Sequence, residues 1–207
     1  MLDACLDHFA SDEQLAAFND DGYLVVEDAL PPELVRRLNV VIDRIDAEER
    51  QARGLAPGAI MAKFRTIVED DLFLELLDYP TTFPIVCDIL GWNIQHYISH
   101  LIIYPPEPPD AERKRKAAGW HQDGGRPVPE MERPHPRLSL KVAFWFSDVA
   151  EPDNGALRVV PGSHKLDERP PQSDADGDPD GAIHVLARPG TAVIFDRRTW
   201  HSRGWNY

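Results

Sequence analysis

The chain has 207 residues, 43% hydrophobic and 28% charged, which fits a globular protein with a core that stands without disulfides and excludes a disordered chain. A net charge of −13 would repel a phosphate backbone over most of the surface, so nucleic acid is excluded as a partner. No run approaches the roughly 18 apolar residues of a membrane span, and the first ten residues, with Asp3 and Asp7, do not read as a secretory signal. Two cysteines, Cys5 and Cys87, are too few for a disulfide scaffold or a thiolate metal site, so a reduced, cytoplasmic protein is expected.

Along the chain, Ser11 with Gln14 makes a capping-box pattern that opens a short helix ending near Gly22. Tyr23–Val26 is a β-rich run. From Pro31 onward, Leu34, Leu38, Val41, Ile42 and Ile45 recur at i, i+4, i+7, i+8 and i+11, one face of a long amphipathic helix. Arg36, Arg37, Asp43 and Arg44 fall on its other side. Shorter helices are predicted around 71–77 and 82–90, the second ended by Gly91.

After residue 94 the texture changes to short β-type runs at 95–104, 138–146, 156–160, 183–187, 191–195 and 199–203. Such runs, separated by turn-rich segments, predict a sandwich or barrel. Three long connections interrupt them: 105–119 with the basic run Arg113 to Lys116, the proline-rich 126–137, and 165–181 with alternating Asp174, Asp176, Asp178 and Asp180. The fold class expected is mainly β with N-terminal helices (α+β). Residues 1–207 read as a single domain, with a helical layer over 1–92 and a β core over 93–207.

The strongest chemical signal is Trp120-His121-Gln122-Asp123, followed much later by Trp200-His201. On a strand, residues i and i+2 share a face, so His121 and Asp123 can present an imidazole and a carboxylate side by side. His201 from a facing strand would complete three ligands on one side of a metal. The opposite side stays open, as non-haem iron(II) oxygenases require. The triplet alone says little, because eight histidines and 22 aspartates would yield roughly one His-x-Asp by chance. Gly124-Gly125 after the acid lets backbone and substrate approach closely, and His201 opens a β-type run after the Arg188-Pro189-Gly190 turn.

Several motifs in order make the chain resemble the phytanoyl-CoA dioxygenase family. They are Asp20 to Val26, Tyr104-Pro105-Pro106, Trp120 to Asp123, Val142 to Trp145, Asn154 to Leu157, Val160 to His164 and Trp200-His201. The resemblance implies a double-stranded β-helix (jelly-roll, cupin-like) core and an iron(II)- and 2-oxoglutarate-dependent dioxygenase. Such an enzyme uses O2 to hydroxylate an unactivated C–H bond of a small molecule of acyl or secondary-metabolite type, releasing succinate and CO2. His121, Asp123 and His201 would be the catalytic iron ligands, and Trp145 matches the tryptophan that lines the cosubstrate pocket. His100 and Tyr104, an i, i+4 pair on one strand, read either as a half-buried polar pair at a sheet end or, by resemblance, as part of the same pocket lining. An acid at position 123 favours hydroxylation over halogenation, with desaturation and cyclisation left open.

Two departures stand out. The arginine that clamps the far carboxylate of 2-oxoglutarate lies beyond the distal histidine in this family, whereas the sequence ends at Tyr207. A fragment lacking a final strand is therefore expected, or else a substitute: Lys141, which shares a strand face with Trp145, or Arg203, which shares one with His201. Tyr104 also stands where relatives often carry lysine. The rival expectations are a silent family member that senses metal or ligand, and a cupin-type enzyme independent of 2-oxoglutarate.

The remaining features have bland readings beside sharper ones. Arg113 to Lys116 form a solvated run or a flap for an anionic substrate. The alternating aspartates lack the glycine and glutamate spacing of a calcium loop and read as a mobile acidic loop. His164 reads as a loop-ordering residue, and His8, His96, His135 and His184 as structural or exposed.

Overall fold

The computed structural model describes residues 7–108, 118–123, 135–166, 168, 171 and 178–207. The capping box forms: Ser11 Oγ accepts the Gln14 N–H at 3.2 Å, and Gln14 Oε1 accepts the Ser11 N–H at 2.9 Å. It opens helix α1 (Asp12–Asp21), which Gly22 closes at φ 81°. That position tolerates only glycine for a second reason. A Cβ there would lie 2.4 Å from His164 Nδ1 and 2.5 Å from Thr199 Oγ1.

Strand β1 (Tyr23–Val26) follows, then helix α2 (Pro32–Arg53), which buries Leu34, Leu38, Val41, Ile42 and Ile45 as the periodicity requires. Helix α3 is shorter than the spacing suggested, Asp71–Leu74, and α4 is Phe83–Leu90 with Gly91 as its cap. Among the described residues no helix is long and apolar enough to cross a membrane.

The strands are β2 (Met61–Phe64), β3 (His100–Ile103), β4 (Ala118–His121), β5 (Leu140–Phe144), β6 (Leu157–Val159), β7 (Ile183–Val185), β8 (Ala192–Asp196) and β9 (His201–Arg203). Among the described residues the paired strands are antiparallel and form three sheets, β1-β8-β5, β2-β3 and β4-β9-β6-β7. Each expected β-type run holds a strand, though the 95–104 run narrows to four residues. Strand β2 lies inside the stretch read as helical, and β1 joins the central sheet, so the N-terminal segment is not a helical layer alone.

Alternation on β8 sorts the core. Val193 and Phe195 point into one cluster with Tyr23, Val25 and Ala143 from their own sheet, Trp145 just beyond β5, and Leu157, Val159 and Val185 from the four-stranded sheet. The two sheets therefore face each other across that cluster. Ile194 points the opposite way, against Phe18 of α1 and Ile85 of α4. A strand buried on both faces reads as a continuous apolar run, which Ala192-Val193-Ile194-Phe195 is. Full burial of side chains such as Val193 and Ile194 stabilises the fold by about 1.5–3 kcal/mol each. Helix α2 packs a separate cluster with Met61 and Leu101 of the two-stranded sheet.

Candidate metal centre

His121, Asp123 and His201 converge at one end of the space between the two large sheets, each offering a ligand atom within 4.8 Å of the others. The convergence is set by register. His121 ends β4 directly opposite His201, the first residue of β9, and their rings lie 4.3 Å apart. Asp123 does not ride on the strand with His121, as the i, i+2 argument supposed. The strand stops at His121, and Asp123 sits in the bend beyond it.

Hydrogen bonds to two backbone carbonyls hold that bend. The Asp123 N–H donates to Arg197 O at 2.8 Å, and Gln122 Nε2 donates to Arg198 O. The segment carrying the carboxylate is thus stapled to the turn that leads into His201. That turn has its own supports: Trp200 N–H donates to Ser163 Oγ at 2.8 Å, and Thr199 Oγ1 donates to Gly22 O at 2.8 Å. The Pro-Gly-Ser-His motif therefore works as scaffolding. His164 is buried, with Nε2 3.1 Å from Asn19 O and away from the metal ligands.

Ring orientation fixes the tautomers. His121 Nδ1 lies 2.7 Å from Gly119 O and His201 Nδ1 lies 2.8 Å from Thr199 O. A carbonyl oxygen can only accept, so each Nδ1 carries the proton and each Nε2 is left with a lone pair. Both Nε2 atoms face the carboxylate, His121 at 3.8 Å from Asp123 Oδ1 and His201 at 3.4 Å from Oδ2. Burial pushes the His201 pKa down to about 4, with the Asp123 charge opposing the shift, so this imidazole is neutral at physiological pH as ligation requires. Asp123 Oδ2 is buried and receives no well-directed hydrogen bond from the described residues. The Lys141 ammonium lies 2.7 Å from it. Two lone pairs and an under-satisfied carboxylate aimed at one point suit a divalent cation, and the ring carbonyl partners are those expected around a metal-binding histidine.

The other sequence candidates divide into two groups. Lys141 touches Asp123, and burial together with the Lys141 charge lowers the His100 pKa. His100 stacks on Phe64 of β2 at 4.1 Å. Trp145 packs in the cluster between the sheets. Arg203 and Tyr104 meet one another: the guanidinium lies 5.0 Å from the Tyr104 ring, 4.9 Å from the Trp205 ring and 4.0 Å from Glu107 Oε1. Gly124, Gly125, the basic run Arg113 to Lys116, and Asp174 and Asp176 lie outside the described residues.

Sequence reasoning missed the anchoring of Asp178. It accepts from Trp120 Nε1 at 3.2 Å and ion-pairs with buried Arg158, on strands that also carry or neighbour the ligands. This end of the acidic segment is half-buried and paired. The missed signal was Arg158, a lone charge inside an apolar strand.

Two imidazoles and one carboxylate, gathered between facing antiparallel sheets, form a donor set that could hold a metal ion. The profile of the phytanoyl-CoA dioxygenase family matches residues 18–206, and the chain belongs to that family. Its class is therefore that of the 2-oxoglutarate-dependent non-haem iron dioxygenases, which use iron, 2-oxoglutarate and O2. An uncharacterised protein of Mycobacterium tuberculosis is 29% identical over 202 residues, covering 94% of this chain and 70% of its own. The fold is shared with two solved structures. One is HygX from Streptomyces hygroscopicus, with nickel and 2-oxoglutarate bound (TM-score 0.70, 16% identity, 96% of this chain and 82% of that one). The other is SnoK, an alpha-ketoglutarate-dependent carbocyclase from nogalamycin biosynthesis (TM-score 0.69, 21% identity, 95% and 78%).

Proposed function

We propose that this chain hydroxylates an unactivated C–H bond of a small molecule, releasing succinate and CO2, with His121, Asp123 and His201 as its iron ligands on a jelly-roll core. The observation that carries the reading is the fixed pair of Nε2 lone pairs facing the Asp123 carboxylate, His121 toward Oδ1 and His201 toward Oδ2. Bound there, iron(II) supplies the activation of dioxygen that the oxidative decarboxylation of 2-oxoglutarate requires.

The protein's own groups orient and shield. The carbonyls of Gly119 and Thr199 hold the imidazole tautomers, and the Arg197 and Arg198 carbonyls hold the Asp123 bend. Phe195 places its ring edge against His201 at 4.9 Å, keeping water from the buried side of that ligand. His121 is half-exposed and marks the side from which substrate arrives. Trp145 and His100 line the cosubstrate pocket in this reading. Lys141 or Arg203 supplies a cation for its carboxylate, and Tyr104 offers a hydroxyl.

Anaerobic iron(II) with 2-oxoglutarate should give the weak visible charge-transfer band of a chelated oxoacid, and admission of air should release succinate. His121→Ala should remove both signals. A wild-type protein with neither signal overturns the reading.

A further inference from the structure

We infer that Lys141 occupies the metal carboxylate in the metal-free protein and, once a divalent cation displaces it, becomes the partner of the 2-oxoglutarate dianion, so that the two binding events are coupled. This rests on the oxygenase reading and deepens it.

The placement starts from register. Lys141 lies on β5 directly opposite Phe195 of β8, whose ring meets His201, so its side chain rises from the face that looks into the space between the sheets. Its ammonium is 2.7 Å from Asp123 Oδ2. The same oxygen is the one nearest His201 Nε2, at 3.4 Å, and therefore the one a cation shared by those two residues would take. An ammonium and a divalent ion repel each other at that spacing, so binding of the ion drives Lys141 to yield the carboxylate.

Lys141 can yield it at small cost. Its side chain is 42% exposed, and four rotatable bonds let the charged head move while the stem stays on β5. The cosubstrate then supplies what Lys141 has lost, a carboxylate for its cation. Arg203, the other cation on the inner strand faces named above, is already engaged by the Tyr104 and Trp205 rings and lies beside Glu107. A group that opposes one ligand when alone and favours the second after the first has bound produces positive coupling between them.

The test uses cobalt(II) as the metal probe, with titration calorimetry on wild type, Lys141→Met and Lys141→Arg. In Lys141→Met, cobalt(II) alone should bind about fivefold or more tighter, because its competitor is gone. 2-Oxoglutarate should bind the cobalt-loaded protein about tenfold or more weaker. Lys141→Arg should return both constants toward wild type. Weaker cobalt(II) binding in Lys141→Met would show that Lys141 merely orders Asp123, and unchanged constants would show that it does nothing at the site. Either overturns the exchange. A wild-type protein that binds neither cobalt(II) nor 2-oxoglutarate overturns the oxygenase reading beneath it, which separates the two failures.

Discussion

Two carboxylate residues adjoin Arg197, Asp196 as its chain neighbour and Asp123 through a hydrogen bond to its carbonyl, and the fold treats them in opposite ways. Asp196, fully buried at the end of β8, accepts four hydrogen bonds: from Arg198 N and Nε at 2.9 Å, Arg198 Nη2 at 2.7 Å and Arg137 Nε at 2.8 Å. Burial alone would raise its pKa, but the Arg198 and Arg137 bonds outweigh it and hold the carboxyl below the usual range. Asp123, whose N–H donates to Arg197 O, keeps one buried oxygen without a directed donor and faces two imidazole lone pairs. A saturated carboxylate is finished as structure. An unsaturated one among lone pairs is prepared for a guest, and its neighbours make that preparation specific.

The largest expected effect tests the saturated side. Asp196→Asn leaves two arginines short of a counter-charge and should lower unfolding free energy by about 3–5 kcal/mol in urea titration. Next comes the prepared side. Asp123→Ala should reduce metal-dependent succinate release beyond the roughly 100-fold that outer partners of a ligand can cost, yet move metal-free stability by less than about 1 kcal/mol. If the two substitutions destabilise alike, the contrast fails.

A pH series gives a smaller effect. The unfolded chain takes a proton on histidine near pH 6.5, whereas folded His201 resists until about 4. The unfolded state therefore binds more protons between those values, and metal-free stability should fall as pH drops from about 6.5 to about 4. His164, whose pKa burial also lowers, acts in the same direction, so the His201 share is the part of the slope that His201→Asn removes. A wild-type profile as flat as the variant's would contradict the assignment. Smallest is Gln122→Ala, which unfastens the bend from Arg198 O and should weaken cobalt(II) binding about tenfold with little change in thermal midpoint.

The candidate ligands were legible because a site of this kind needs fixed residue types in fixed order, and the sequence carries His121, Asp123 and His201 in that order. Helix α2 was legible because its apolar period matches 3.6 residues, and α1 because Ser11 and Gln14 cap it. What escaped were relations across space. Met61–Phe64 has no β signature of its own and becomes a strand by pairing with His100–Ile103, far along the chain. The departure of Asp123 from the strand follows from its N–H finding Arg197 O, a partner no local pattern announces. Lys141 was visible as a cation on the right face, but its grip on Asp123 depends on β5 pairing with β8.

Strand β8 lies between β1 and β5, pairing Tyr23 with Phe195 and Lys141 with the same residue. During synthesis both flanking strands are made long before their shared partner and wait with unpaired edges. Loop closure over such distances is slow, and waiting edges invite association with other chains. Pairing of β9 with β4 brings His201 to His121, so capacity to bind metal should appear only once the four-stranded sheet has closed against the sheet that β8 completes.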